Sequence, residues 1–151
     1  MKEIKGDIWE SGANAICVTT NGIVKNDGKA VMGAGIAEQA AKRYPPLPDY
    51  LGHCLRQLGN HVFIFPLASN GLDLVDPMIV TFPTKNDWKK NSDIELILQS
   101  AKELVVIADQ HRWKRVALPR AGCGKGGLKW EQIRPLLQQI LDDRFEVWDW
   151  R

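Results

Sequence analysis

The feature that most constrains this chain is a pair of glycine clusters, each placed where an apolar, strand-like run gives way to a helix-periodic segment. Of thirteen glycines among 151 residues, eight fall in the stretches Gly22 to Gly35 and Gly122 to Gly127. Before the first stands Ala15-Ile16-Cys17-Val18-Thr19. After it, Ile36, Ala37, Ala40, Ala41 and Tyr44 recur with helical spacing until Pro45-Pro46 stops them. Before the second stands Lys114 to Leu118, ending at Pro119. After it, Ile133, Leu136, Leu137, Ile140 and Leu141 mark another helix, in which Pro135 is tolerable only near the first turn. Glycine lets backbone approach an anion without a Cβ in the way, and a following helix N-terminus favours negative charge through its free N–H groups and dipole. Ligands of open α/β sheets lie beyond the carboxyl ends of strands. Two such loops on one sheet predict a place for two phosphates. The alternative is that the glycines only make tight turns, and their recurrence at two equivalent positions weighs against it.

The remaining elements follow the same alternation. Ile4 to Ile8 reads as a first strand, with a turn at Ser11-Gly12. A short helix is expected over Pro48 to Leu58, strands over His61 to Phe65 and Met78 to Phe82, and a last strand over Phe145 to Trp150. Ser92-Asp93-Ile94-Glu95 has the form of a capping box, opening a helix with Ile94, Ile97, Leu98, Ala101, Leu104, Val105 and Ala108 on one face. The fold class is therefore α/β, a sheet with helices on both faces, and the length suits one domain on the usual ~100–200 residues.

Composition narrows the function. The 44% hydrophobic content excludes a disordered chain, and a net charge of +2 supplies no general field toward nucleic acid, so any DNA contact must be local. No apolar run approaches the ~18–20 residues of a membrane span, and residues 1–6 are not of signal-peptide type, so a cytoplasmic location without membrane contact is expected. Cys17, Cys54 and Cys123 are odd in number and lack His at ligand spacing, which predicts reduced thiols and no metal site. Cys123 reads as a small side chain in a tight turn rather than a reactive thiol. The common nucleotide motifs fit badly. Glu38 stands where the dinucleotide fingerprint needs its third glycine, and Gly28-Lys29 is followed by Ala30 and preceded by a glycine one residue too distant for a P-loop.

The ordered set of Gly6-Asp7-Ile8, Asn21, Met32-Gly33-Ala34-Gly35-Ile36-Ala37, Leu118-Pro119-Arg120-Ala121-Gly122-Cys123-Gly124 and Gly127-Leu128-Lys129-Trp130 resembles the macrodomain family, the α/β module that binds ADP-ribose. The resemblance covers essentially the whole chain and implies one macrodomain over residues 1–151, a three-layer α/β/α sandwich with a mixed central sheet. The Met-Gly-x-Gly-Ile-Ala loop, Phe82-Pro83-Thr84-Lys85 with Trp88 shortly after, and the second glycine loop resemble one branch in particular. It contains terminal ADP-ribose protein glycohydrolases and DNA ADP-ribosyl glycohydrolase antitoxins.

The resemblance implies roles residue by residue. Asp7 would accept from the adenine amino group, with Ile8 supporting the ring. Asn21 would meet the distal ribose. Met32, Gly33, Ala34, Gly35 and Ile36, with Ala121, Gly122, Cys123, Gly124, Lys125 and Gly126, would wrap the diphosphate and distal ribose through N–H groups. Trp148 or Trp150 would pack beside the adenine, with core packing as the competing reading of each. Val24 to Ala30 departs from the shorter loop of the antitoxin branch and is expected to shape what lies near the distal ribose. Lys85 matches a lysine implicated in cleavage. Its neutral amine would attack the anomeric carbon of the distal ribose, or join the opened sugar as an imine, before water releases ADP-ribose. Protein-directed members carry an acidic residue in the second loop, where this chain has Gly126, which favours a DNA-type or other non-protein ADP-ribosyl substrate, or loss of catalysis, over cleavage from a protein carboxylate. Three functions remain open: a hydrolase removing ADP-ribose from DNA or protein, a non-catalytic ADP-ribose reader, and an ADP-ribose 1″-phosphate phosphatase. The implied partner is ADP-ribose or an ADP-ribosylated macromolecule, with no cofactor and a monomeric chain.

Overall fold

The apolar runs assemble into one mixed six-stranded sheet, seen in a computed structural model that describes residues 1–66 and 77–150. The strands are β1 (Lys2–Lys5), β2 (Ala15–Thr20), β3 (Phe63–Phe65), β4 (Met78–Pro83), β5 (Val116–Pro119) and β6 (Phe145–Asp149), in the order β1-β6-β5-β2-β4-β3. All neighbours are parallel except β3, which pairs antiparallel with β4 at one edge. The helices are α1 (Gly35–Arg43), α2 (Leu47–Leu58), α3 (Ile94–His111) and α4 (Trp130–Gln138).

A parallel strand with helices on both faces is buried on both, and β2 shows the consequence. Ala15 and Cys17 enter the core beneath α3 and α4, where Ile97, Leu104, Ile133 and Leu137 lie. Ile16 and Val18 enter the opposite core beneath α1 and α2, with Ala40, Leu47 and Leu51. Fully buried side chains such as Ile97 and Leu104 each stabilise the fold by about 1.5–3 kcal/mol relative to exposure. No helix among the described residues is long and apolar enough to cross a membrane.

Several boundaries differ from the sequence expectation. β1 ends at Lys5, and Ile8 begins a 3-10 turn, Ile8–Glu10, because the Asp7 carboxylate accepts from the Trp9 N–H at 3.0 Å and turns the chain. The cap of α3 is Asp93 and not Ser92: its Oδ1 accepts from the Glu95 and Leu96 N–H groups at 3.0 and 3.4 Å. β5 starts two residues later than expected, and β6 stops at Asp149, leaving Trp150 outside the sheet. Pro135 sits at the sixth residue of α4, beyond the first turn. That helix ends at Gln138, so Ile140 and Leu141 lie past it, while Ile133 and Leu137 anchor its buried face.

Candidate functional site

Parallel pairing sends the loops after β1, β2, β4 and β5 to the same edge of the sheet. β2 and β5 are neighbours, yet the chain leaving β2 enters α1 on one face and the chain leaving β5 enters α4 on the other. Adjacent strands whose connections diverge in this way open a crevice at their carboxyl ends. Each wall of that crevice is one of the glycine loops.

The first loop is braced from within. Asn21 Nδ2 donates to the Val31 carbonyl at 3.1 Å while its Oδ1 accepts from the Ile23 N–H at 3.0 Å, so this side chain ties the two ends of the loop together. Between them Val24 pairs with Ala30 in a small hairpin, closed by Lys25 N–H to the Lys29 carbonyl at 2.8 Å. Helix α2 clamps the hairpin. The Ala30 N–H donates to the Pro48 carbonyl at 2.9 Å, and Gly52 leaves no room for a Cβ against the Gly28 carbonyl. Met32 is buried in the α1–α2 core and fixes the far end. Gly33, Ala34 and Gly35 are exposed, and a Cβ at either glycine would meet nothing within 4 Å. Gly35 has φ +57°, in the left-handed region that glycine favours, and opens α1 with the half-buried Ile36 next to it. The N-cap of α1, Ala34, supplies no side-chain acceptor.

The second loop is tighter. Ala121 and Gly122 are buried, and a Cβ at Gly122 would lie 2.6 Å from Ile97 and 2.9 Å from Leu128. Gly124–Gly126 forms a 3-10 turn, with Gly124 exposed and Gly126 buried. Burial pushes the half-exposed Cys123 thiol up, with Arg120 opposing, which agrees with a packing residue and not a thiolate nucleophile. Lys125 is exposed, and its charge reaches Glu38 in the first turn of α1. Glu38 is held below the usual carboxylate range first by its hydrogen bond from Lys42 at 2.9 Å and also by Lys125. The two walls are thus within electrostatic reach of each other.

Lys85, half-buried, lies in the loop from β4 to α3 and is joined to both walls through the backbone. The Gly22 N–H donates to the Asn86 carbonyl at 3.1 Å, and the Thr84 N–H donates to the Thr20 carbonyl at 3.0 Å. At the other end the Ser92 N–H donates to the Gly126 carbonyl at 2.8 Å. Asn60, from the segment before β3, donates through Nδ2 to the Lys85 carbonyl at 3.0 Å and to Asn86 Oδ1 at 3.0 Å. Sequence reasoning missed Asn60, which follows Gly59 and reads as an ordinary turn residue. It also missed Ser92 as a neighbour of Gly126.

Asp7 and Ile8 lie after β1, on the α1–α2 side. The half-buried Trp148 packs there too: its ring would be 2.9 Å from a Cβ at Gly6, and its Nε1 donates to Glu146 at 3.1 Å. Trp150 is 77% exposed beyond β6. A recess of about 190 Å³ lies on the α4 side of β1 and β6, lined by Glu3, Ile4, Lys5, Arg120, Val147 and Asp149, and contains none of the site residues expected from sequence. Among the described residues no group of three or more His, Cys, Asp or Glu side chains is placed to hold a metal ion.

The family model described as Macro domain matches residues 26–137, most of the chain, with the second glycine loop and the larger part of the first. The chain belongs to the macro domain family. This macro domain is similar to the DNA ADP-ribosyl glycohydrolase of Thermus aquaticus, with 30% identity over 157 residues that take in 98% of this chain and 40% of the relative. The chain spans about two fifths of the length of the curated relatives it matches. Among solved structures it resembles the macrodomain of Mycobacterium tuberculosis DarG, with TM-score 0.79 and 28% identity over 97% of this chain and 96% of that one. Thermosipho africanus DarTG in complex with ADP-ribose shares the fold, with TM-score 0.82 and 22% identity over 97% of this chain and 40% of that one. The α/β class and the mixed sheet expected from sequence are those of these macrodomains.

Proposed function

We propose that this macro domain binds ADP-ribose between its two glycine loops and removes it from ADP-ribosylated DNA with the help of Lys85. The observation that carries the reading is the placement of Lys85. Its own carbonyl is held by Asn60 and its neighbour's by Gly22, which fixes the lysine's backbone against the first glycine loop at the shared edge of the sheet. The names of the Thermus and Mycobacterium relatives support the substrate class.

On this reading the exposed N–H groups of Gly33 to Gly35 and of the second loop hold the diphosphate, and Lys125 adds positive charge beside it. Met32, Ile36, Ala121, Gly122 and Cys123 set the loop shapes. Asp7 and Ile8 receive the adenine next to Trp148, with Trp150 outside. Asn21 meets the distal ribose while bracing the loop. The Lys85 amine forms a bond to the anomeric carbon as the bond to the modified base breaks, and the proton released by the newly bonded nitrogen goes to the departing base. Water then cleaves the nitrogen–carbon bond, giving free ADP-ribose and regenerating the amine. No carboxylate is available in the second loop, which favours a DNA base over a protein carboxylate as the modified group. Residues 1–151 form one macro domain that acts as a monomer in the cytoplasm, without cofactor or metal, and touches DNA only locally.

The test is incubation of ADP-ribosylated single-stranded DNA and ADP-ribosylated protein with wild type and Lys85→Ala. The expected result is free ADP-ribose from DNA with wild type, none with Lys85→Ala, and calorimetric binding of ADP-ribose by both. Binding without release identifies a reader, and phosphate release from ADP-ribose 1″-phosphate identifies a phosphatase. Either outcome overturns the hydrolase.

A further inference from the structure

The loop from β4 to α3 carries more than Lys85. Residues 85–90 read Lys-Asn-Asp-Trp-Lys-Lys, three lysines around one tryptophan. Trp88 is 50% exposed, and the Lys89 ammonium lies 5.6 Å from its ring centroid. The loop is a structured turn. The Asp87 carboxylate accepts from the Lys89 N–H at 2.9 Å, and the Asp87 carbonyl accepts from the Lys90 N–H at 3.1 Å.

The Gly22–Asn86 hydrogen bond places this turn beside the Val24–Ala30 hairpin, which carries Lys25 and Lys29. Arg56 of α2 adjoins them, donating through Nη2 to the Lys25 carbonyl at 3.3 Å. Apart from Lys85, five cationic side chains, Lys25, Lys29, Arg56, Lys89 and Lys90, therefore belong to these adjoining segments with two carboxylates, Asp27 and Asp87, a local excess larger than the +2 of the whole chain. Both carboxylates accept backbone N–H groups of their own turns, at 3.0 and 2.9 Å. Leu58, Val106 and Trp150 are also large and exposed, yet none lies in such a run of lysines.

We propose that Trp88, Lys89 and Lys90, continued by Lys25, Lys29 and Arg56, form a platform for single-stranded nucleic acid flanking the modified nucleotide. A neighbouring base stacks on Trp88, and the cations hold the phosphates on either side. An aromatic face among lysines suits this partner because every base has a π-face to stack and every nucleotide carries one negative charge. The inference rests on the hydrolase reading and names which part of the macromolecule the protein grips. It also gives the hairpin a function, as a second, rigid support for the strand.

The experiment compares wild type, Trp88→Ala and the double variant Lys89→Ala/Lys90→Ala, each checked for an unchanged Tm. Three measurements are made: anisotropy with an unmodified single-stranded DNA oligonucleotide at several salt concentrations, steady-state release from the ADP-ribosylated oligonucleotide and from an ADP-ribosylated nucleoside, and calorimetry with free ADP-ribose. Trp88→Ala is expected to weaken oligonucleotide binding and raise KM for the modified oligonucleotide, both about tenfold. The lysine variant is expected to flatten the slope of log affinity against log salt by about 1.4. In all variants, ADP-ribose affinity and turnover of the nucleoside stay at the wild-type level. Equal oligonucleotide binding and equal salt slopes in wild type and variants overturn the platform, as does a KM loss confined to an ADP-ribosylated peptide. Failure of wild type to bind ADP-ribose overturns the hydrolase reading instead, and oligonucleotide binding still decides the platform.

Discussion

The backbone N–H of Ser92 donates to the carbonyl of Gly126 at 2.8 Å, and the Ser92 hydroxyl occupies the space that a Cβ at position 126 would enter. That hydroxyl is buried and makes no hydrogen bond to the described protein. One contact therefore explains both why position 126 is glycine and why the second loop carries no acid there.

Gly126→Ala is expected to lower stability by about 1–3 kcal/mol through overpacking. Ser92→Ala, which removes an unsatisfied hydroxyl, is expected to be neutral or mildly stabilising and to relieve most of the Gly126→Ala loss in the double variant. Additive effects in a denaturant-melting cycle would contradict this packing relationship.

On the proposed function, Gly33 and Gly35 distinguish ligand contact from backbone strain. Both have open space around a Cβ, and only Gly35 has a positive φ. Gly33→Val is expected to leave stability within about 0.5 kcal/mol of wild type while abolishing ADP-ribose binding, because the added side chain meets no protein atom but covers the backbone proposed to hold the diphosphate. Gly35→Ala is expected to reduce both, at a cost of about 1 kcal/mol in stability. Melting curves beside calorimetry read the two effects separately.

Asn60 positions Lys85 through the backbone and lies outside the two glycine loops. Asn60→Ala is expected to lower kcat for ADP-ribose release about tenfold while changing ADP-ribose affinity less than twofold, an effect of about 1.4 kcal/mol for one lost hydrogen bond. A change in affinity of the same size as the change in kcat would place Asn60 in the binding wall instead.

Arg115 and Glu146 predict a pH dependence of stability. Two hydrogen bonds from Arg115, at 2.8 and 2.9 Å, hold the Glu146 carboxyl below the usual carboxylate range against the opposing effect of burial. A depressed carboxyl contributes stability that is complete above its unfolded value, near about 4.3, and is lost as pH falls through the lower folded value. Glu146→Gln is therefore expected to melt below wild type at pH 7, with the gap closing below about pH 4. A gap that stays constant down to pH 2 would exclude the linkage.

Much of the scaffold was legible in the sequence because burial on both faces leaves a local imprint. Ala15 to Val18 is apolar throughout since β2 is covered by helices on both sides, and Ile97, Ala101, Leu104 and Ala108 keep helical period because α3 is covered on one. The glycine clusters were legible for a related reason: positive φ at Gly35, Gly122, Gly124 and Gly127, and the lack of space at Gly122 and Gly126, are requirements on single residues. The α3 cap was misassigned by one residue because Ser92 and Asp93 both have capping side chains. The neighbouring chain decided between them, since the Ser92 hydroxyl packs against Gly126 while the Asp93 carboxylate turns onto the helix.

By itself the sequence determined the alternation of strands and helices, the two glycine loops between them, and the lysine in the loop after β4. Tertiary structure alone decided that β2 and β5 are neighbours with connections leaving on opposite faces, which opens the crevice between those loops. It alone brought Asn60 to Lys85, Ser92 to Gly126, and the Lys25–Lys29 hairpin beside Trp88. These contacts join separate segments, the nearest of them 25 positions of chain apart, and no local periodicity or propensity records a partner that only the crossing of strands brings near.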